Sequence, residues 1–265
     1  MSTILEEHES SGFYDELAEL QHLVYADWHA SIERQGDALA AIIRERWQPA
    51  VRVLDAACGV GTQSLGLAAR GFEVVGSDLA TAALARARRE AAARGLDITF
   101  LQADLRHLTA AHQGPFDVVL ACDNAIPHLQ TAEEILQAFR QMRSLLRPGG
   151  GCLISVRDYG AIDRRGTHML PYGVRTTPAG RIAVFQVWDF VDPTHYDLRM
   201  CFVHDLDGAP RAQVLQTRYH AILLPELEAL LDEAGFEAVE RISDRFFQPL
   251  LAATNPGGAA PRASP

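Results

Sequence analysis

The stretch Val51-Arg52-Val53-Leu54-Asp55-Ala56-Ala57-Cys58-Gly59-Val60-Gly61 decides the fold. Its apolar residues Val51, Val53 and Leu54 spell a short strand that ends on a carboxylate, Asp55. A loop of small residues follows, and beyond Gly61 a helical pattern opens. Small side chains let backbone N–H groups approach a ligand closely. The helix start adds unpaired donors and partial positive charge. Such a strand–loop–helix corner is where an open α/β sheet binds an adenosine-containing ligand.

Downstream the pattern alternates. Strands are expected at 51–55, 73–77, 97–102, 116–121 and 151–156, and helices at 61–70, 79–94 and 131–146. Gly95 caps the second helix, and Arg147-Pro148-Gly149-Gly150 is a turn cluster. Strands alternating with helices imply βαβ units and a parallel sheet. Upstream, apolar residues recur at three- and four-residue steps from Gly12 to Trp47, which predicts two helices broken near 28–31. After Tyr159 the helical rhythm stops. Strands at 181–191, 196–204 and 212–223, separated by Asp192-Pro193 and Asp207-Gly208, read as an inserted antiparallel meander. A helix over 225–233 ends at Gly235, and strands at 237–243 and 245–252 pair as a hairpin that completes the main sheet. The expected division is an N-terminal helical cap (1–48), a cofactor-binding core (49–160), the β insert on the substrate side (161–223), the C-terminal helix and hairpin (224–253) and a disordered tail (254–265).

Composition narrows the partners. There are 34 acidic residues against 24 basic ones, all arginine, giving a net charge of −10. That balance lacks the basic footprint of a nucleic-acid binder and favours a small molecule. The cysteines Cys58, Cys122, Cys152 and Cys201 are scattered, with no C-x-x-C spacing, and read as buried thiols of a reducing compartment, without a metal. The N-terminus has no signal-peptide pattern and no apolar run is long enough to span a membrane, so the expected location is cytoplasmic. A homo-oligomer is left open.

The loop discriminates between cofactors. A dinucleotide fingerprint needs G-x-G-x-x-G, and after Gly59 and Gly61 the third position is Ser64. Asp55 ahead of the glycines would repel a pyrophosphate and suits a ligand with an ammonium group. An acid followed by a small-residue loop resembles the class I S-adenosylmethionine-dependent methyltransferases. The resemblance implies a Rossmann-like α/β fold: a seven-stranded, mostly parallel sheet with helices on both faces and a small antiparallel β insertion after strand five. It also implies S-adenosylmethionine as cofactor and S-adenosylhomocysteine as product. Asp78, some twenty residues on at the next strand end, is placed to accept from the ribose hydroxyls. Asp104 could accept from the adenine amine. Each acid taken alone could be a helix N-cap. No Asn/Asp-Pro-Pro-Tyr follows strand four, which weakens a DNA adenine methyltransferase reading. With no lysine in the chain, a Ser…Tyr-x-x-x-Lys oxidoreductase is absent too.

Beyond the loop the chain resembles the glycine/sarcosine N-methyltransferases and related small-amine enzymes. The residues that carry this are Val53 to Gly59, Asp123-Asn124-Ala125-Ile126-Pro127-His128-Leu129, Leu146 to Gly150, and Val156-Arg157-Asp158-Tyr159. The resemblance implies that Arg157 binds a substrate carboxylate and Asn124 contacts the acceptor, with Tyr219 of the insert near the reacting atoms. His128 stands as a general base or as a ring packed over the adenine. It further implies a cofactor site of Tyr14, Trp28, Arg34, Asp55, Ala57, Gly59, Gly61, Asp78, Leu79, Asp104, Leu105 and Cys122, with Arg34 on the cofactor carboxylate. Asp123 and Asp158 depart from the family pattern, and the added charge favours a larger or more cationic amine, such as an amino sugar. For Arg157 the plain alternative is a salt bridge to Asp158 or Asp163, and for Asn124 a helix cap. The expected reaction is methyl transfer to a small-molecule amine or amino acid. The alternatives are O-methylation of a hydroxyl, which needs a base, and a non-catalytic S-adenosylmethionine-binding module.

Overall fold

The computed structural model describes residues 10–256. Its central sheet contains β1 (Arg52–Asp55), β2 (Glu73–Asp78), β3 (Thr99–Gln102), β4 (Phe116–Ala121), β5 (Leu146–Ser155), β10 (Glu237–Ile242) and β11 (Leu250–Thr254), in the order β10-β11-β5-β4-β1-β2-β3. Only β11 runs against its neighbours. The chain order reverses between β1 and β4, which pair in parallel. A crevice therefore opens above their carboxyl ends, at the Asp55 loop and at Cys122-Asp123.

Helices cover both faces because the strands are apolar on both sides. On one face α2 (Trp28–Arg46) and α3 (Thr62–Ala68) set Leu39, Ile43 and Leu67 against Val53, Val118 and Leu120. On the other, α6 (Ala132–Ser144) and α7 (Leu224–Glu233) set Phe139, Met142 and Leu227 against Leu54, Val119 and Ile154. The helix α4 (Thr81–Ala93) packs Leu84 and Ala87 beside Trp28 and Phe100. One short turn of helix, α5 (Leu108–Ala111), precedes β4. Backbone closeness matters once here: a Cβ on Gly66 would lie 2.6 Å from the carbonyl oxygen of Ile32, so α2 and α3 meet only because position 66 is glycine.

A second sheet of four antiparallel strands follows β5: β6 (Thr167–Thr177), β7 (Gly180–Asp192), β8 (His195–His204) and β9 (Arg211–His220). Its inner face buries Trp188, Tyr196 and Tyr219 against Tyr159 and against Phe13 and Leu17 of α1 (Ser10–Leu17). The sheet thus roofs the crevice.

Four expectations need correction. The meander has four strands, not three; Pro171 and Gly173 break the apolar alternation of β6, and the β6–β7 register shifts between them. The N-terminal break falls at 18–27, because Asp27 caps α2 and accepts from Ala30 N–H. Strand five starts at Leu146, and Arg147 to Gly150 form an irregularity inside it. The final strand starts at Leu250, while Thr254, assigned to the tail, belongs to it; residues 257–265 of that tail lie outside the described residues.

Candidate active site

The crevice is a cavity of about 960 Å³. Its floor is the loops after β1, β2, β3 and β4; its roof is the inner face of the meander; its lip is α1 and the segment 18–27.

The floor is built from backbone geometry. Gly59 (φ +52°) and Gly61 (φ +92°) turn the chain from β1 into α3. Asp78 ties this loop to α4: one carboxylate oxygen accepts from Gly59 N–H at 2.8 Å and the other from Ala80 N–H at 2.9 Å. Burial pushes the Asp78 carboxyl above its usual range. After β4, Asp123 (φ +58°) and Asn124 (φ +66°) both stand in the left-handed region. Asp and Asn are the side chains that best tolerate this region, though two in succession still carry a strain cost. The Asp123 N–H donates to Ser155 Oγ and the Asn124 N–H to the Ser155 carbonyl, which hold the turn.

Arg157 enters the cavity from the end of β5 and is the centre of the roof contacts. Its guanidinium carbon lies 5.1 Å from the Trp188 ring centroid and 5.9 Å from that of Tyr219. Its Nη1 donates to Tyr196 Oη at 3.4 Å. Asp158 instead accepts from Gly160 N–H, and Asp163 pairs with Arg165. Among the described residues no carboxylate stands within ion-pair distance of Arg157, so the salt-bridge alternative fails.

Near it, the Tyr14 hydroxyl lies 2.9 Å from His128 Nε2 and 3.2 Å from Tyr219 Oη. Burial, with the Arg157 charge, pushes the His128 imidazole down to about 3. Burial raises the Asp123 carboxyl, which accepts from Tyr25 Oη at 2.8 Å.

The sheet order, with the crevice at the reversal and a β insertion above it, is that of a known fold. A solved amino pentose methyltransferase of Micromonospora echinaspora, with S-adenosylmethionine bound, superposes with a TM-score of 0.76 over 89% of this chain and 95% of that one, at 22% identity. The family described as "Methyltransferase domain" matches residues 53–150. The chain has the fold of the class I S-adenosylmethionine-dependent methyltransferases. Among relatives of this class, a glycine/sarcosine N-methyltransferase of Parasynechococcus marenigrum is 29% identical over 222 residues, 82% of this chain and 73% of that one. A ubiquinone biosynthesis O-methyltransferase of Cronobacter sakazakii is 34% identical over 104 residues, 39% of this chain and 41% of that one. The chain spans about half the length of several other curated relatives it matches.

The cofactor of a class I methyltransferase fits this floor. Gly59 leaves a cradle whose nearest neighbour would be the Gln21 amide, 3.6 Å from a Cβ built there. Gln21 Oε1 is buried without a partner among the described residues, an acceptor open to a donor such as the methionine ammonium. Of the expected cofactor residues, Tyr14, Ala57, Gly59, Asp78, Leu79, Asp104, Leu105 and Cys122 line the cavity. Asp104 does so with its carboxylate engaged: against the pull of burial, its bonds to Arg106 hold it below the usual range.

Others are placed elsewhere. Asp55 lies under the loop, fully buried, accepting from Ser64 Oγ at 2.6 Å. Burial raises its carboxyl to about 7. Gly61 packs on Ala87 and Leu65 behind the loop. Trp28 is buried and donates to Thr62 Oγ1 at 2.9 Å. Arg34 is exposed, bonded to Ser31 Oγ; the helix face toward the protein carries Ser31, Ile32 and Gln35, and position 34 points away from it. Of the acceptor-side residues, Arg157, Tyr219 and His128 line the cavity and Asn124 does not. The Asn124 side chain instead accepts from Arg157 N–H at 3.1 Å and donates to Tyr159 Oη at 2.9 Å, which fixes the turn that delivers Arg157. It is no helix cap either; Thr131 caps α6. Asp158 stands outside the cavity, so only Asp123 adds acidity there. Gln21, Tyr25, Tyr172 and Gln186 line the cavity without having been singled out; they lie in a break and in strands where periodicity marks only burial.

Proposed function

We propose that this chain transfers a methyl group from S-adenosylmethionine to the nitrogen of a small amine that also carries a carboxylate. The observation that carries this reading is Arg157, a half-buried cavity side chain among aromatic rings with no carboxylate within ion-pair distance among the described residues. An ion drawn partly out of water with no carboxylate in direct contact carries a desolvation cost. A ligand carboxylate held by the guanidinium fork offsets that cost.

When bound, the cofactor supplies a methyl on a sulfonium already activated for displacement. The chain supplies position. Arg157 holds the carboxylate, and Asp123, of opposite charge in the same cavity, faces the amine end and is the group placed to take its proton. Tyr14 and Tyr219 present ring faces to positive charge. The lip at 18–27 and the roof exclude water.

The His128 imidazole, pushed down to about 3, is too weak a base to take a proton from the acceptor, which leaves Asp123 for that step. The cavity volume of about 960 Å³ lies at the top of the range for one small ligand, about 300–1,000 Å³. That leaves room for an acceptor larger than glycine beside the cofactor. The amino pentose named for the solved neighbour brings amino sugars into the acceptor panel.

The test is release of S-adenosylhomocysteine with amines, amino acids and amino sugars, with rates rising toward alkaline pH as the amine loses its proton. Arg157→Met raises the acceptor KM about tenfold or more, as the loss of a charge-assisted hydrogen bond requires, and leaves the cofactor Kd unchanged by calorimetry. Equal loss of cofactor binding would sink the assignment.

A further inference from the structure

One more polar side chain is built into the roof beside Arg157. Gln186 stands in the middle of β7, two residues before Trp188 on the same inward row, and is 4% exposed. Its Oε1 accepts from Trp188 Nε1 at 2.9 Å. An indole nitrogen only donates. This bond therefore fixes which way round the amide sits: the oxygen is on the indole and the NH₂ is left for the cavity that the residue lines. Among the described residues no other hydrogen bond reaches that amide. Trp188 is 2% exposed and cannot swing away, and it is the same ring over which the Arg157 guanidinium lies. The indole thus orients one donor by hydrogen bonding and seats another by its π face.

We propose that Gln186 is a specificity-determining residue that donates its amide NH₂ to the acceptor's carboxylate, forming with Arg157 a seat of two donors on the Trp188 indole. This rests on the reading of the cavity as a site for a carboxylate-bearing amine. Both groups are donors, so this corner satisfies an anion and repels an ammonium. The amine end is directed toward Asp123 and the cofactor instead. Gln186 also makes the seat selective, because a buried donor left unpaired disfavours an acceptor that lacks the matching oxygen.

The test compares the wild-type enzyme with Gln186→Leu and Gln186→Glu, using amino acids and their carboxamides as acceptors. Calorimetric binding of S-adenosylhomocysteine reports that each variant is folded with an intact cofactor site. Gln186→Leu is expected to raise KM for the amino acid about tenfold, with kcat and product affinity within about twofold of wild type. Gln186→Glu keeps an oxygen on Trp188 Nε1 but sets a carboxylate beside Arg157. It is expected to lose the amino acid and keep the carboxamide. An unchanged KM in both variants, or equal loss for acid and carboxamide, overturns the proposal while leaving the reading of the site intact. If wild-type enzyme turns over no amino acid, the reading of the site falls and the proposal with it.

Discussion

At the residue scale, the carboxylates show how position decides role. Asp55, Asp78, Asp104 and Asp123 stand at strand ends or just beyond them, and the strand ends were readable from alternation. What each does was not readable, because that depends on the depth at which the chain turns. Asp55 is sealed under α3 and gives its carboxylate to Ser64, whereas Asp78 reaches the cavity. Arg34 and Asn124 show the same limit: a helix face and a left-handed turn aim those side chains away from the crevice. The sealed Asp55 has a measurable consequence. Its folded-state pKa of about 7 lies above the unfolded value of 3.8, so the native state holds the extra proton between those limits. The stability it contributes is full below about pH 4 and is lost as pH rises toward 7, on the order of 4 kcal/mol. His128 has the opposite sign, since its folded value of about 3 lies below 6.5 and its contribution is lost as pH falls. Asp55→Asn keeps the Ser64 bond without the ionisation. Thermal melts from pH 4 to 8 should show Asp55→Asn gaining on wild type as pH rises, and parallel curves would contradict the burial argument.

At the element scale, the α2–α3 contact and the roof carry the site. The glycine loop is held from behind by α3, which is buried from Thr62 to Leu67 and pressed on α2 at Gly36 and Gly66. Gly66→Ala drives a methyl to 2.6 Å from the Ile32 carbonyl oxygen. Overpacking of that kind costs about 1–3 kcal/mol. The melting temperature should fall by several degrees and the cofactor Kd should rise with it. A variant as stable as wild type would show that the helices separate freely. The lip depends on two distant anchors: Arg175 of β6 donates to the carbonyls of Leu23 and Tyr25, each at 2.9 Å, and Tyr25 donates to Asp123. β6 was the strand least visible in the sequence, since Pro171 and Gly173 interrupt its alternation. It carries both the lip anchor Arg175 and the cavity residue Tyr172.

At the scale of the whole molecule, the parallel sheet and the meander divide the work. The sheet's strand reversal fixes where a nucleoside cofactor sits, and the small-residue loop made that legible. The meander supplies Trp188, Gln186, Tyr196 and Tyr219, and with them the environment of an arginine that makes no direct ion pair among the described residues. Of these only Tyr219 was singled out from the sequence, through the family resemblance; patterning placed the others in strands, because their meeting with Arg157 is a long-range contact. The most direct measurement is a pair of saturation curves for S-adenosylhomocysteine release, one with amino acids and one with their carboxamides, at saturating S-adenosylmethionine. The account predicts that kcat/KM for the acid exceeds that for its carboxamide by about tenfold or more. Equal use of both, or turnover of neither, would contradict it.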